Sequence, residues 1–121
     1  RQRDGATRGC AGALHYSASW ANRLPADLPL YPDARISEAA GADGRCALRA
    51  VSFVTTASLQ QVIDWYYTRA TKAGYSADQQ SDGGEHVLGG TRNRDGGAFA
   101  LFVTARRDGG SEVDLIANKG N

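Results

Sequence analysis

The residues most capable of chemistry in this sequence are two cysteines and two histidines: Cys10, His15, Cys46 and His86. They are too few and too unevenly spaced for a Cys-x-x-Cys redox motif or a structural zinc site. The simplest chemistry for Cys10 and Cys46 is a disulfide with each other, and the alternative is two buried thiols. Each histidine stands alone, so we expect a surface or capping role for both.

No motif in the sequence predicts a catalytic or metal centre. A serine or cysteine nucleophile needs a base in reach, and no Gly-x-Ser-x-Gly motif is present. The 13 acidic residues form no identifiable hydrolytic pair. Several of them stand beside glycines, where aspartate favours turns: Asp43, Asp82, Asp95 and Asp108. We therefore assign no catalytic residue, no metal ligand and no cofactor, and expect a chain that is not an enzyme.

Aromatic and arginine side chains are the candidates for a binding surface. Trp65 and Tyr67 flank Tyr66 in a predicted helix, where they either edge the core or offer a ligand platform. The arginines near the predicted turns suit a single-strand nucleic-acid site or a solvated hairpin end whose charges prevent edge pairing; they are Arg92, Arg94, Arg106 and Arg107. The candidate binding surface therefore comprises Trp65, Tyr67, Arg92, Arg94 and Arg106.

The composition predicts one globular domain over residues 1–121. Hydrophobic residues make up 41% of the chain and charged residues 22%, a balance that argues against wholesale disorder. Fourteen Lys and Arg against 13 Asp and Glu give a net charge of +1, which provides no general attraction to nucleic acid. No apolar stretch is long enough to span a membrane. We expect a monomer or weak dimer in which Arg1–Gly9 is disordered.

The start of the chain bears on its cellular compartment. The sequence begins at Arg1 and contains no methionine. Because translation starts at methionine, we expect that an upstream signal peptide, lipid anchor or transmembrane segment has been removed. A disulfide requires an oxidising compartment. These observations together predict a periplasmic or secreted protein, either free or anchored to a membrane.

Periodicity predicts one strong helix between two groups of strands. Residues 58–73 have helical apolar spacing, a capping box from Ser58 and Gln61, and Gly74 at the end. Weaker helical spacing covers residues 11–24, and three prolines keep the segment through Pro32 extended. Alternating or β-branched stretches predict strands at 34–39, 46–55, 75–80, 85–92, 98–106 and 111–117.

These elements predict an α+β fold. We expect an antiparallel sheet built from a hairpin and a three- or four-stranded meander, with the helix on one face and an N-terminal helical or extended segment. The strand at 98–106 is apolar on both sides, since Phe99 and Leu101 alternate with Ala100 and Phe102. We expect the N-terminal segment, with Trp20, to cover the second face; the rival interpretation is an exposed partner surface.

Four stretches of the sequence resemble a family of small bacterial exported or lipoprotein-type domains. The stretches are Leu28-Pro29-Leu30-Tyr31-Pro32-Asp33-Ala34, Phe53-Val54-Thr55-Thr56, Val62-Ile63-Asp64-Trp65-Tyr66-Tyr67 and Ala73-Gly74-Tyr75. The resemblance covers residues 28–117 and implies a single α+β module, but it assigns no catalytic residue. Asp33 stands where the family usually shows glycine, and the two cysteines and N-terminal helix are peculiar to this chain.

Three functional hypotheses follow from these residues. The first is a non-catalytic exported module that binds another protein or envelope component, or acts as a structural accessory domain. The second is a small hydrolase whose site the sequence does not reveal. The third is a single-strand nucleic-acid binder that uses the arginine-rich hairpin; the near-neutral charge and the expected compartment argue against nucleic acid as a partner.

We predict a disulfide between Cys10 and Cys46. Closing a loop of this length should stabilise the fold by about 3–4 kcal/mol in the chain-entropy model, so reduction should lower the free energy of unfolding. Intact mass before and after reduction, followed by denaturant unfolding of both forms, measures the bond and its effect. Two thiols that react freely with an alkylating agent in untreated protein would refute the prediction.

Overall fold

The computed structural model describes residues 14–42, 47–82 and 84–118 of the chain. Cys10, Cys46 and the segment Arg1–Gly9 lie outside the described residues, so the disulfide and the disordered terminus stay predictions. None of the helices in the described ranges has both the length and the hydropathy needed to cross a membrane.

One antiparallel sheet dominates the described structure. Its seven strands are β1 (His15–Tyr16), β2 (Arg35–Ala42), β3 (Leu48–Thr55), β4 (Ser76–Asp82), β5 (Glu85–Arg92), β6 (Gly97–Ala105) and β7 (Ser111–Asn118). They lie in the order β1-β2-β3-β7-β6-β5-β4, and every neighbouring pair is antiparallel. A single α-helix, α1 (Leu59–Lys72), and a 3₁₀-helix (Ala18–Arg23) complete the described elements.

The expected α+β class is therefore wrong, because the fold is a sheet with one helix on it. Two physical causes explain the difference. The last strand of the meander pairs with the first hairpin, so that all strands join one sheet. The predicted N-terminal helix is instead a two-residue strand and a short 3₁₀-helix. There Ser17 caps the turn by accepting a hydrogen bond from the Ser19 amide, and the extended backbone before Pro25 ends it at Leu24.

The helix predicted at 58–73 is confirmed as α1, with Ser58 and Ala73 as its caps. The Ser58 hydroxyl accepts from the Gln61 amide, and the Gln61 side chain accepts from the Ser58 amide. Gly74 has a φ of +94°, and the next amide, of Tyr75, donates back to the carbonyl of Ala70. The helix therefore begins and ends where the capping residues require.

Alternation along the strands gives the sheet one buried face. In β3, Val51 and Phe53 are buried, whereas the alternate residues Ser52 and Val54 are half-buried. Val113 of β7 lies opposite Phe53 and is buried on the same face. The buried residues of α1 complete this core: Val62, Ile63, Tyr66 and Ala70.

Trp20 of the 3₁₀-helix packs on the same face as α1. Gly41 pairs with Arg49, which lies two residues before Val51 and therefore shares its face. A Cβ atom at Gly41 would overlap the Trp20 ring, so glycine makes room for the indole. The Arg49 guanidinium lies 4.8 Å from the ring centroid. The expectation that Trp20 covers the second face is therefore wrong, and Phe102 lies on that face half-buried.

We predict opposite effects for two adjacent glycines of β5. A Cβ atom at Gly90 would lie 2.7 Å from Cε1 of Phe99 and 2.9 Å from the carbonyl oxygen of Ser76, whereas one at Gly89 would meet only the Phe99 carbonyl oxygen, at 3.6 Å. Gly90→Ala should therefore lower the free energy of unfolding by about 1–3 kcal/mol. Gly89→Ala should leave it unchanged or raise it by about 0.5 kcal/mol. Denaturant unfolding measures both, and equal effects would contradict this packing.

Candidate functional site

Trp65 lies at the centre of a small cluster of rings on the outer side of α1. Its ring is half-buried and meets the Tyr31 ring edge-on, with 5.0 Å between the centroids. On the helix itself, the Tyr66 ring meets it edge-on at 4.8 Å. The Arg69 guanidinium lies over the Trp65 ring, 4.2 Å from its centroid. The indole is thus held in one orientation, with part of its surface accessible.

Tyr66 is the buried residue that aligns the proline-rich segment with α1. Its side chain is completely buried, and its hydroxyl donates a 2.7 Å hydrogen bond to the carbonyl oxygen of Pro29. Burial raises the pKa of Tyr66, so the phenol stays protonated and keeps donating. The segment expected to be extended is instead bent by two turns, in which the Leu28 amide donates to the Pro25 carbonyl and the Ala34 amide donates to the Tyr31 carbonyl. Fixing Pro29 between these turns also places Tyr31 against Trp65.

With the proline-rich segment held beside α1, a groove of about 620 Å³ lies between α1 and the part of the segment that carries Tyr31. Side chains of aromatic, polar and charged type line it: Tyr31, Gln61, Asp64, Trp65, Thr68, Arg69 and Lys72. A second hollow of about 200 Å³ shares Arg69 and Lys72 with it and extends toward Asp27. We call these two adjoining hollows together the α1 groove.

Arg92, one of the predicted surface residues, is a buried structural side chain. Only 8% of it is exposed, and its guanidinium lies 4.4 Å from the centroid of the Tyr75 ring. Its Nη1 donates to the Asp27 carboxylate at 3.0 Å and to the Ala73 carbonyl at 2.9 Å. Nε and Nη2 both donate to Asp95. Arg92 therefore joins the end of α1 to the β5–β6 turn and is not available to a ligand.

The other predicted surface residues do not form one surface. Arg94 is exposed in the β5–β6 turn, whereas Arg106 lies beyond the far end of β6, where it pairs with Asp108. At about 3.4 Å per strand residue, the length of β6 holds the two arginines roughly 25 Å apart. Tyr67 is 39% exposed and does not line the α1 groove. Of the five candidates, Trp65 alone lies in the groove.

Sequence reasoning missed most residues of the α1 groove. Its helical lining falls at positions 61, 64, 65, 68, 69 and 72, which follow the three- and four-residue spacing of one helix stripe. This stripe lies beside the apolar one, and charged residues such as Arg69 and Lys72 are typical of a solvated helix side. Trp65 is the residue from which the groove could have been predicted. It lies within the polar stripe, and a large apolar ring in that position is expected to pack against another part of the chain.

The histidines do not contribute to the groove. His15 is exposed on β1, and His86 is half-buried on β5, where it pairs with Val103. No cluster of three metal-ligating side chains occurs within residues 14–42, 47–82 and 84–118.

The aspartates whose pKa is lowered have structural roles in turns or beside the start of α1. Hydrogen bonds from Thr55 and Thr56 hold the pKa of Asp33 below its usual value. Arg92 and the Gly97 amide lower the pKa of Asp95 in the β5–β6 turn. The Gly110 amide lowers the pKa of Asp108 in the β6–β7 turn. Each shift has a structural explanation, and none of these groups lies in the α1 groove.

Comparison of the chain with protein families, with curated proteins and with solved structures found no match. The geometry of the chain itself must therefore support any statement about function.

We predict that Asp33 stabilises the fold at neutral pH and loses this effect in acid. Its carboxylate accepts hydrogen bonds from Thr55 Oγ1, Thr56 Oγ1 and the Thr56 amide, which lower its pKa in the folded state. A lowered folded-state pKa contributes stability that is complete above the unfolded value of about 3.9 and is lost as the pH falls through the folded value. Asp33→Asn should therefore be less stable than wild type at pH 7, and the gap should narrow below about pH 4.

Urea unfolding between neutral and acid pH measures this gap. Thr56→Val removes a donor, so it should raise the pKa of Asp33 and move the loss of stability to higher pH, whereas Thr56→Ser keeps the hydroxyl and should resemble wild type. A gap that stays constant across the titration would show that the carboxylate charge does not stabilise the fold.

Proposed function

We propose that this chain is a non-catalytic exported module that binds a segment of another envelope protein in the α1 groove. The observation that carries this proposal is Trp65, an accessible tryptophan held in place by Tyr31 and Arg69 beside an open groove. Tryptophan and arginine are enriched among residues that dominate binding energy in protein interfaces. A ring that is already fixed loses little conformational entropy when a partner binds.

The charges along the α1 groove indicate what kind of segment it takes. Arg69 and Lys72 lie on the part shared by both hollows, whereas Asp64 lies on the other part. Asp27 also borders the smaller hollow, but its carboxylate is paired with Arg92. We therefore expect a segment that places an apolar or aromatic side chain on Trp65 and an acidic group near Arg69 and Lys72.

The same geometry supports binding over hydrolysis. Among the described residues that line the larger hollow there is no cysteine, histidine or serine, and the only carboxylate is that of Asp64. Thr68 contributes a hydroxyl, but the lining holds no histidine that could activate it. A hydrolytic centre built from protein groups needs a nucleophile or a pair of acid and base residues. A periplasmic or secreted location belongs to the proposal and depends on the predicted Cys10–Cys46 disulfide.

A random dodecapeptide display library tests the proposed function. Peptides selected on the full chain should be rich in apolar and acidic residues, and their affinity should fall about tenfold or more with Trp65→Ala or Arg69→Glu. Tyr67→Ala is the matched control, because Tyr67 is an exposed ring of the same helix outside the groove, and it should change affinity little. Thermal unfolding of each variant separates lost binding from lost folding.

Two results would contradict this function. One is a set of selected peptides whose affinity is the same for wild type and for both groove variants. The other is turnover by the wild-type chain in ester, peptide or glycan panels that Trp65→Ala or Arg69→Glu abolishes, which would make the groove an active site.

A further inference from the structure

The second face of the sheet carries a continuous row of small and apolar residues. Paired positions on successive strands form this row across the sheet: Gly89, Ala100, Ile116, Ala50, Ala40 and Tyr16. Beside it, Val87 of β5 lies opposite Phe102 of β6, and both side chains are half-buried. An antiparallel sheet with a wet face should instead alternate apolar with polar side chains.

The described helices leave this face uncovered at β5, β6 and β7, whereas Ala40 and Ala42 at its β2 end are buried. The 3₁₀-helix, α1 and the segment between residues 24 and 34 all pack on the opposite face, where Trp20, Leu28 and Tyr66 belong to one core. Two of the exposed large apolar side chains lie on the second face: Tyr16 is 70% exposed and Ile116 is 38% exposed. Exposed apolar patches bordered by polar residues usually mark interaction sites.

Acidic side chains surround the row and determine which occupant fits. The carboxylates that share this face on the described strands are Glu38, Asp78, Glu85, Glu112 and Asp114. Fewer cations oppose them: Arg35 on β2, and Arg106 and Arg107, which share a hollow with Glu112 at the β6–β7 turn. A second copy of the chain would bring these like charges together, and anionic lipid or nucleic acid would be repelled as well. A partner with complementary charge is therefore basic.

We propose that the second face binds a basic amphipathic helix of a partner protein. The opposite face shows that this sheet accepts a helix, since α1 packs across β4, β5 and β6. Because Gly89, Ala100 and Ala50 have small or no side chains, an apolar helix stripe can approach the sheet closely there and contact Ile116 and Phe102. Lys and Arg at the edges of that stripe reach Glu112 and Asp114 with their long side chains.

This site is independent of the α1 groove. The groove lies outside α1 on the other face of the sheet, and its cations favour an acidic segment. The second face favours a basic one, so each surface can fail its test while the other passes.

A pair of synthetic helical peptides tests the charge and the location together. The probe has leucine along one face and lysine along the other, and its control has glutamate in place of every lysine. We expect the lysine peptide to shift the amide NMR signals of β3, β6 and β7, with the largest changes around Ile116 and Phe102. The glutamate peptide should cause no such shifts, and added salt should weaken the lysine peptide.

Two isoleucines of similar exposure provide matched variants. Ile116→Glu should weaken binding of the lysine peptide about tenfold or more, because a carboxylate would enter the apolar contact. Ile36 is 41% exposed and faces the other way, paired with Phe53, so Ile36→Glu should change affinity little.

A double variant keeps the proposal testable if Ile116→Glu does not fold. Glu112→Gln combined with Asp114→Asn removes two charges from the border of the row and should weaken the lysine peptide. The side-chain oxygen at position 114 can still accept the 2.5 Å hydrogen bond from the Ser52 hydroxyl, so the fold should be retained.

Three outcomes would overturn the proposal. The first is equal binding of the lysine and glutamate peptides. The second is a set of shifts that maps to the α1 groove or survives both the Ile116→Glu and the double variant. The third is a dimer in sedimentation velocity that Ile116→Glu dissociates, since the occupant would then be a second copy of the chain.

Discussion

The pairing of β3 with β7 is the interaction on which the rest of the structure depends. Residues Leu48 to Thr55 lie opposite Asn118 to Ser111 without a register break, although α1 and three strands separate them in sequence. This ladder makes β3 and β7 interior strands and places Val51, Phe53 and Val113 on one face beneath both helices. At its end, the Ser111 hydroxyl donates to the Ala57 carbonyl at 2.8 Å, which fixes the approach to α1. Without the ladder, the first hairpin would have no neighbour for its inner edge.

The ladder also explains why the proline-rich segment becomes part of a surface. Both helices pack on one face of the sheet. The segment between residues 24 and 34, which follows the 3₁₀-helix, lies beside α1 on that face. Three side chains hold it there: Arg92 through Asp27, Tyr66 through the Pro29 carbonyl, and Asp33 through Thr55 and Thr56. Leu24 and Leu28 of the segment are buried in the core, whereas Tyr31 packs at its edge against Trp65. The groove lies between that edge and α1.

Local sequence signals predicted the elements from β3 onward, and the long-range arrangement escaped them. The capping box of Ser58 and the glycine at position 74 determine α1 through contacts within a few residues, so the sequence displays them directly. The β3–β7 pairing has no local signal, because it depends on which strand edges remain free after the meander forms. The face on which Trp20 packs has no local signal either. The indole fits against β2 only because Gly41 has no side chain there. Arg92 looked like a surface cation because its partners Asp27 and Tyr75 are brought to it by the fold.

The net charge of +1 conceals a separation of charge between the two sides of the sheet. Arg69 and Lys72 stand on α1, whereas Glu112 and Asp114 project from β7 on the opposite face. Asp64 on α1 and the arginines Arg106 and Arg107 beside Glu112 reduce this difference without removing it. The two proposals therefore differ in the charge of the partner as well as in the side of the sheet that binds it, and neither difference can be read from net charge or composition alone.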